Sequence, residues 1–444
     1  LPFIQEYTNM EYSVEQEPNR AIITSKWGEI ETAEVKKDTQ VRYLGGVKSP
    51  ILTEVKKSDK VTVLEDEDDW MKVATADGYV GYIKTKSLKN QKKEKTSRDF
   101  TEPVYSDMTE DHSINMAWHN VTNAAANNAV QQVLASTSGL TTIAPTWFSL
   151  ADTEGNISSI ADADYVNYAH TAGLEVWAVF RDFHGGTNSY DETYETLRYT
   201  SKRAKLEDQV VAAAVAAGVD GINLDFELIS SKCGVHYVQL VRELSVKCHQ
   251  NNLVFSVDNY VPQSYNSHYD LKEQGIVADY VVIMAYDEHT EGSYEAGSVA
   301  SISYLQDGIE KTLKKVSADK VIAGIPFFTR LWFETAKSPE QLSEEAGTEA
   351  ASYPNKVSSK ALGMEEAAQS VVNAGATAQW DEKTQQNYAK WSADGGTYRI
   401  WLEDAQSLEA KLKVIQENKL AGVAEWSLGK EESSVWKLIS QYVN

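Results

Sequence analysis

The sequence predicts an α/β protein, namely a (β/α)8 barrel with an insertion between strands 7 and 8, preceded by a small all-β domain. Two observations carry this prediction. After residue 110, apolar β-branched runs alternate with amphipathic or Ala-rich helical stretches, a pattern typical of parallel strands joined by crossover helices. Before residue 90, short β-runs are separated by turn residues, as in "EDEDDW" and "TADGYVGYIK".

Eight segments after residue 110 have the apolar character of buried parallel strands. Eight repeats fit a closed barrel better than an open doubly wound sheet, which is the competing architecture. The long gap over 327–420 is where an inserted subdomain is expected. The predicted strands are INMAWHNV (114–121), TTIAPTWF (141–148), LEVWAVF (174–180), GINLDF (221–226), LVFSVDN (253–259), YVVIMAY (280–286), KVIAGIP (320–326) and AGVAEWSL (421–428).

The chain is predicted to have four parts. Residues 1–20 are polar and unpatterned and are interpreted as a flexible tail. Residues 21–90 form the β domain, and the charged stretch over 91–109 has no apolar period and is interpreted as a linker. Residues 110–444 form the barrel.

Composition limits the possible partners. The 444 residues carry a net charge of -23, which disfavours nucleic acid, because phosphate contacts need Lys and Arg. If Cys233 and Cys248 lie on one helix, they are about 22 Å apart, too far for a disulfide, so two free thiols are expected. The chain begins at Leu1, so a targeting segment is expected to be absent from it.

The stretch "VDGINLDFELIS" over 219–230 places Asn223, Asp225 and Glu227 at alternate positions of a predicted strand. Alternate residues share one face, so these three are expected to face the barrel interior, while the apolar residues between them pack on helices. Buried carboxylates are costly unless they are paired or used. Carboxylates that approach the C-terminal end of a barrel strand therefore predict a catalytic site.

Several motifs resemble known families. "DGINLDFE" resembles the DGxDxDxE signature of glycoside hydrolase family 18, with Asn223 where most members have Asp. "VVIMAYDEH", "IAGIPFFTRLW" and "GVAEWSLG" resemble the sixth, seventh and eighth strands of that family, and the overall pattern is closest to bacterial enzymes that cut spore cortex or cell-wall peptidoglycan. Residues 48–88 resemble bacterial SH3-like domains, which often attach enzymes to cell walls.

The family 18 resemblance implies a mechanism without a protein nucleophile, in which the acetamido oxygen of the substrate attacks the anomeric carbon. Glu227 is then the general acid and base. Asp225 orients the acetamido N–H, and the Tyr286 hydroxyl holds the acetamido carbonyl. Trp426 forms an apolar floor under the sugar, and Met284 belongs to the same sixth-strand motif as Tyr286.

Four further residues have expected roles. Asn223 lies on the carboxylate face and is assigned to substrate binding; because it cannot share a proton with Asp225, we expect Asp225 to stay ionised and only Glu227 to titrate. Asp287 is assigned to the substrate-binding hydrogen-bond network, with pairing to Arg330 as the structural alternative. Trp147 is either a sugar platform or a core residue, and Asp220 is expected to support the start of its strand.

Two functions of different classes follow. The first is a retaining glycosidase that cleaves β-1,4 bonds after N-acetylglucosamine in peptidoglycan or chitin-like glycans, either endo or exo. The second is an inactive, chitinase-like lectin, which is disfavoured because Glu227 is retained. For either function we expect an extracellular or cell-wall-associated bacterial monomer that contacts the wall through the SH3-like domain. No cofactor and no metal site are expected, since the His and Cys residues lack ligand spacing.

Overall fold

The computed structural model describes residues 2–101 and 107–443. The chain divides into two compact units, Leu1–Ser106 and Asp107–Asn444. Each unit has its own hydrophobic core, so each is described separately.

The first unit is a small antiparallel β structure. It begins with helix α1 (Pro2–Tyr7) and a hairpin of β1 and β2, and continues as a seven-stranded sheet with the order β5-β4-β8-β7-β6-β3-β9. Its strands are β1 (Glu11–Glu15), β2 (Arg20–Thr24), β3 (Gly28–Val35), β4 (Thr39–Arg42), β5 (Ile51–Val55), β6 (Lys60–Glu67), β7 (Trp70–Thr75), β8 (Val80–Lys84) and β9 (Leu88–Thr96).

Alternation explains the core of this unit. Val61 and Val63 on β6, and Met71 and Val73 on β7, are buried, whereas the residues between them are not. One face of each strand therefore meets the core, as expected for strands with an apolar residue at every second position.

Residues 2–20 are not the flexible tail that the sequence predicts, because they contain α1, β1 and the start of β2. Arg20 holds the hairpin against the turn between β7 and β8: its Nε donates to the Asp77 carbonyl at 3.1 Å, and its guanidinium lies 4.2 Å from the Tyr79 ring centroid. Such long-range contacts leave no local pattern in the sequence.

The predicted linker over 91–109 also begins too early, because β9 continues to Thr96. Its charged residues are cross-strand partners of β3, as in the Lys93–Glu29 ion pair at 2.7 Å. Residues 102–106 of the predicted linker lie outside the described residues.

The second unit is a barrel whose strands alternate with helices. The strands are β10 (Ile114–His119), β11 (Thr142–Pro145), β12 (Phe148–Leu150), β13 (Ile157–Ser159), β14 (Glu175–Arg181), β15 (Gly221–Asp225), β16 (Val254–Tyr260), β17 (Tyr280–Met284), β18 (Val321–Pro326), β19 (Phe328–Ala336), β20 (Asn355–Gly363), β21 (Gln379–Asp381), β22 (Gln386–Ala393), β23 (Gly396–Leu402) and β24 (Gly422–Trp426). The helices are α2 (Val130–Leu134), α3 (Ala163–Thr171), α4 (Tyr190–Leu197), α5 (Thr200–Ala217), α6 (Gly234–Gln250), α7 (Leu271–Val277), α8 (Ile302–Leu313), α9 (Pro339–Glu344), α10 (Met364–Asn373), α11 (Ala405–Glu417) and α12 (Val435–Val443).

Eight parallel strands close the barrel, in the order β10-β11-β14-β15-β16-β17-β18-β24. The last of these, β24, pairs with β10, and β11 pairs with both β10 and β14, so the circle has no open edge. The predicted barrel is therefore confirmed, and the alternative of an open doubly wound sheet is wrong. Each of the eight predicted segments coincides with one observed barrel strand; six contain it completely, whereas β14 and β16 each extend one residue beyond the predicted end.

The barrel core has an inner and an outer layer. On β17, Tyr280 and Val282 belong to the inner cluster, whereas Val281 and Ile283 belong to the outer cluster against the helices. Gly221, at the start of β15, allows the inner layer to close: a Cβ there would lie 2.8 Å from the Trp177 ring and 2.8 Å from the Val254 carbonyl.

The segment between β18 and β24 contains the predicted insertion. Strands β19 to β23 form an antiparallel sheet with the order β20-β19-β23-β22-β21. Ala367 and Val371 of α10 pack on this sheet in a small core of their own with Leu362 and Ile400. The last barrel helices, α11 and α12, which precede and follow β24 in the chain, pack against each other.

Two further expectations concern the whole chain. Cys248 lies in α6 and Cys233 lies just before it; both are buried and neither forms a disulfide, as predicted. Within residues 2–101 and 107–443, no helix is both long and apolar enough to cross a membrane.

Candidate active site

A cleft of about 160 Å³ opens at the carboxyl ends of the barrel strands. Its walls come from six barrel strands or the loops that follow them, which is where (β/α)8 enzymes place their catalytic residues. The lining residues are Trp118, Phe183, Asp225, Glu227, Asp258, Tyr260, Met284, Tyr286, Asp287 and Trp426.

The backbone of Glu227 is held firmly although it lies beyond the end of β15. The Glu227 amide donates to Asp182 Oδ1 at 2.9 Å, and the Leu228 amide donates to Asp182 Oδ2 at 3.0 Å. The Tyr269 hydroxyl donates to the Glu227 carbonyl at 3.1 Å. Asp182 is fully buried, and its carboxylate thus acts as the acceptor that fixes the turn after β15.

The Glu227 side chain has one direct partner in the cleft: the Tyr260 hydroxyl donates a hydrogen bond to Oε2. Burial raises the pKa of Glu227, the Tyr260 hydrogen bond opposes this increase, and the charge of Asp287 adds to it. A raised pKa favours the protonated carboxyl that a general acid needs.

Asp225 has a carboxylate neighbour on the adjacent strand. β15 and β16 pair in parallel with Asn223 opposite Ser256, so Asp225, the last residue of β15, comes next to Asp258 of β16. Burial raises the pKa of Asp225 well above its ordinary value, and the charges of Glu227 and Asp258 raise it further. Burial raises the pKa of Asp258 to about 8.

The expectation that Asp225 stays ionised because Asn223 is not a carboxylate is therefore wrong. That expectation took account only of the residues on β15, whereas the second carboxylate, Asp258, lies on β16. Asp225 Oδ1 and Asp258 Oδ2 are both buried without a hydrogen-bond partner, so a proton held by this pair would satisfy an otherwise unpaired oxygen.

Asn223 lies beneath the cleft and does not line it. It is fully buried, accepts from Trp118 Nε1 at 3.0 Å, and donates through Nδ2 to Ser256 Oγ at 2.9 Å and Asp258 Oδ1 at 2.7 Å. Its assignment to substrate binding is thus corrected: Asn223 orients Asp258 and Trp118, which do line the cleft.

Aromatic rings form the apolar side of the cleft. Trp118 lies with its ring centroid 6.0 Å from that of Trp426 and 6.4 Å from that of Tyr286, and the Tyr286 ring meets Phe328 edge-on at 6.2 Å. Burial raises the pKa of Tyr286 well above its ordinary value, so its hydroxyl keeps its proton and can donate a hydrogen bond.

Of the three remaining residues with a predicted role, one lines the cleft and two lie outside it. Asp287 lines the cleft; desolvation raises its pKa, and the charges of Arg330 and Lys430 oppose this. Trp147 is buried in the outer core with Nε1 bonded to Asn127 at 2.8 Å, so the core alternative applies and it is not a sugar platform. Asp220 accepts from the Val176 amide and contacts His170, both at 2.8 Å, outside the cleft, as a supporting residue would.

Sequence reasoning missed several cleft residues, although a signal for some was present. Ser256, Asp258 and Tyr260 alternate along β16 in the same way as Asn223 and Asp225 alternate along β15. The same argument would have placed them inside the barrel. Asp182 directly follows the third barrel strand, and its carboxylate accepts from the backbone amides of Glu227 and Leu228 and from the Thr193 hydroxyl.

Buried carboxylates and aromatic rings that line one cleft, at the C-terminal mouth of a closed (β/α)8 barrel, are typical of an enzyme of the glycosidase class. The chain belongs to the glycosyl hydrolases family 18, whose family model matches residues 131–431. The model for the bacterial SH3 domain matches residues 36–89 of the first unit.

Relatives agree with this assignment. The uncharacterized glycosylase YvbX of Bacillus subtilis is 26% identical over 295 residues, which are 64% of this chain and 80% of YvbX. The cortical fragment-lytic enzyme of Bacillus subtilis is 27% identical over 256 residues, which are 55% of this chain and 54% of that enzyme. The chain thus spans only about half the length of that second relative.

Solved structures share the fold. The spore cortex-lytic enzyme SleL of Bacillus cereus superposes with a TM-score of 0.63 at 19% identity, covering 79% of each chain. A GH18 chitinase from Cycas revoluta in complex with (GlcNAc)3 gives a TM-score of 0.59 at 19% identity, covering 74% of this chain and 98% of the chitinase.

Proposed function

We propose that this protein hydrolyses the β-1,4 bond after N-acetylglucosamine in peptidoglycan or chitin-like glycans, with retention of anomeric configuration and with the substrate's acetamido group as nucleophile. The observation that carries the proposal is the placement of Glu227, Asp225 and Tyr286 around one cleft. These three groups supply the acid, the acetamido acceptor and the acetamido donor that the reaction needs.

In the first step, protonated Glu227 gives its proton to the leaving glycosidic oxygen while the acetamido oxygen attacks the anomeric carbon. The C–O bond to the leaving sugar breaks and a cyclic oxazolinium forms. Asp225 accepts a hydrogen bond from the acetamido N–H and stabilises the positive charge of the ring. The Tyr286 hydroxyl orients the acetamido oxygen for attack.

In the second step, the Glu227 carboxylate takes a proton from water, whose oxygen attacks the anomeric carbon from the leaving-group side. The oxazolinium ring opens, the acetamido group is restored, and Glu227 is protonated again. Two inversions at one carbon give net retention. Trp426 and Trp118 exclude water from the apolar sugar face during both steps.

The carboxylate pair adds a role for Asp258. A proton held between Asp258 and Asp225 in the resting enzyme lowers the cost of burying both groups beside Glu227. When the acetamido N–H approaches, Asp225 carries the negative charge and Asp258 keeps the proton. Asn223 positions Asp258 because its Nδ2 donates to Asp258 Oδ1; this bond lowers the pKa of Asp258, and burial outweighs it.

We further propose that the SH3-like domain binds the bacterial cell wall and brings the barrel to an insoluble substrate in an extracellular or wall-associated setting. A groove of about 350 Å³ in the first unit supports this role; it is lined by Trp70, Lys84, Arg42, Glu54 and their neighbours. The name of the relative that lyses cortical fragments is in line with such a substrate.

The retained acid favours the enzyme over the lectin alternative. The direct test is to digest purified peptidoglycan, spore cortex and chitin oligomers with the full chain, and to identify new reducing ends by mass spectrometry. The Glu227→Gln variant serves as the control that lacks the general acid. We expect N-acetylglucosamine at the new reducing ends with the wild type only, whereas glycan binding without any cleavage would favour the lectin.

A further inference from the structure

Two cations lie beside the cleft wall that carries Asp287. Lys430 follows β24, and its Nζ lies 5.1 Å from the centroid of the Phe328 ring. That ring in turn meets Tyr286, which lines the cleft. Arg330 lies two residues after Phe328 on β19, and alternation places it on the same face of the strand.

Neither cation has a fixed anionic partner. The ion pairs formed within residues 2–101 and 107–443 include neither Arg330 nor Lys430. Arg330 donates through Nη1 to Ser359 Oγ at 3.0 Å, and its buried Nε has no partner. Asp287 is the carboxylate whose charge acts on Lys430, so two cations face one anion.

This arrangement costs free energy in the empty enzyme. Burial lowers the pKa of Lys430, Asp287 opposes this, and the neighbouring charge of Arg330 lowers it further. Two like charges that are partly removed from water repel each other unless an anion joins them. The chain as a whole is strongly acidic, with a net charge of -23, so two cations without an ion-pair partner beside the cleft are a distinct feature of this site.

The inserted sheet holds Arg330 in place. On the same face of β19, Trp332 Nε1 donates to the Gly297 carbonyl at 2.8 Å, which ties the strand to the loop that begins at Asp287. Gln386 of β22 bonds to Ser298 in that loop and, at 2.7 Å, to the buried Glu403. The insertion therefore fixes the distance between Arg330 and the cleft.

We propose that Lys430 and Arg330 bind a carboxylate of the glycan. The cleft then selects sugars whose lactyl group carries a free carboxylate, as in N-acetylmuramic acid, over neutral N-acetylglucosamine oligomers. This inference rests on the proposed glycosidase function and names the substrate class of the same site. Arg presents a planar fork that matches a carboxylate, and Lys adds a point charge. An acidic enzyme acting on an acidic polymer needs such a patch to offset their mutual repulsion.

The test compares three matched substrates with the full chain. They are alternating N-acetylglucosamine and N-acetylmuramic acid oligomers with a free lactyl carboxylate, the same oligomers with the lactyl group amidated, and neutral N-acetylglucosamine oligomers. For Lys430→Met, whose stem can still cover Phe328, we expect KM to rise about tenfold on the free acid only, because a charge-assisted contact is lost. Lys430→Arg should restore most of the affinity.

Lys360→Met is the control, since Lys360 is an exposed residue of β20 that pairs with Glu366. An equal change of KM on all three substrates, or an equal wild-type KM for the free acid and its amide, would overturn the lactyl assignment. If the wild type cleaves none of the substrates, the glycosidase proposal fails. Calorimetric binding to Glu227→Gln then still decides the carboxylate preference, because equal affinity for the free acid and its amide contradicts it.

Discussion

The hydroxyl of Tyr260 donates a hydrogen bond to Oε2 of Glu227. Tyr260 ends β16, and Glu227 follows the neighbouring strand β15. The bond between them stabilises the ionised form of the carboxyl that must donate a proton. Tyr260 thus opposes the effect of burial, and the balance of the two sets the pKa of the acid.

Replacing Tyr260 by Phe should therefore raise the pKa of Glu227. The sign follows because the lost bond lowered that pKa, so the protonated acid persists to higher pH. The basic limb of the kcat/KM profile on a soluble N-acetylated oligomer should move to higher pH. Tyr442→Phe is the control, since it removes a similar Tyr–carboxylate bond, to Glu409 at 2.9 Å, far from the cleft. A basic limb that stays in place would show that the bond does not tune the acid.

Asn223→Asp should give a folded and active enzyme with a displaced pH–rate profile. The new carboxylate would face Asp258 Oδ1, now 2.7 Å from Asn223 Nδ2, so the two acids must share a proton. An acid whose pKa is raised in the folded state loses stability as pH rises above its unfolded value of about 4. The melting temperature should therefore fall relative to wild type between about pH 4 and pH 8, the upper bound being the pKa of about 8 that Asp258 already has. Superimposable pH–rate profiles would mean that position 223 is not coupled to the catalytic carboxylates.

Asp182→Asn should lower kcat much more than it changes KM. Asp182 accepts from the amides of Glu227 and Leu228, and an Asn side chain has only one oxygen to replace two. The acid is then misplaced, which we expect to reduce kcat by about 10–100-fold, because catalysis is sensitive to small displacements. Asp162→Asn is the control: Asp162 also accepts from two amides, at the start of α3, but through Oδ1 alone, which Asn retains. Equal losses of stability with kcat unchanged in both variants would make Asp182 a purely structural residue.

Deleting residues 1–106 should leave the hydrolysis of short soluble oligomers nearly unchanged. The remaining unit, Asp107–Asn444, has its own core and contains every residue that lines the cleft. Activity on insoluble wall should fall, because tethering raises the local concentration of the barrel. Both rates are measured on one preparation, and an equal loss on both substrates would mean that the first unit contributes to the active site.

The barrel could be predicted because its strands are buried on both sides and appear as continuous apolar runs. The second predicted strand, over 141–148, is less regular than expected: it divides into β11 and β12 around Thr146, whose hydroxyl bonds to Val121 of a neighbouring loop at 2.9 Å. That break accompanies the outward placement of Trp147, which no alternation rule could reveal.

The sequence predicts which side chains share a face when the residues lie on one strand. It does not predict interactions between residues on different strands. Asn223 and Asp225 share the inner face of β15, but their effect on titration depends on Asp258, which is distant in sequence. The role of Asp182 depends on the path of the backbone after Asp225, and hydrogen bonds donated by backbone amides leave no trace in side-chain patterns.

The central claim is that the acetamido group of the substrate is the nucleophile, with Glu227 as the acid and Asp225 as the acceptor of the acetamido N–H. A matched pair of substrates tests this claim most directly. The measurement is the rate of hydrolysis of one soluble oligomer of N-acetylglucosamine and of its de-N-acetylated form, at saturating concentration, with wild type and with Glu227→Gln. We expect the wild type to cleave the N-acetylated oligomer with retention, to cleave the other far more slowly, and to lose at least about 10²-fold in rate with Glu227→Gln. Equal cleavage of the two oligomers by the wild type, or full activity of Glu227→Gln, would contradict the mechanism.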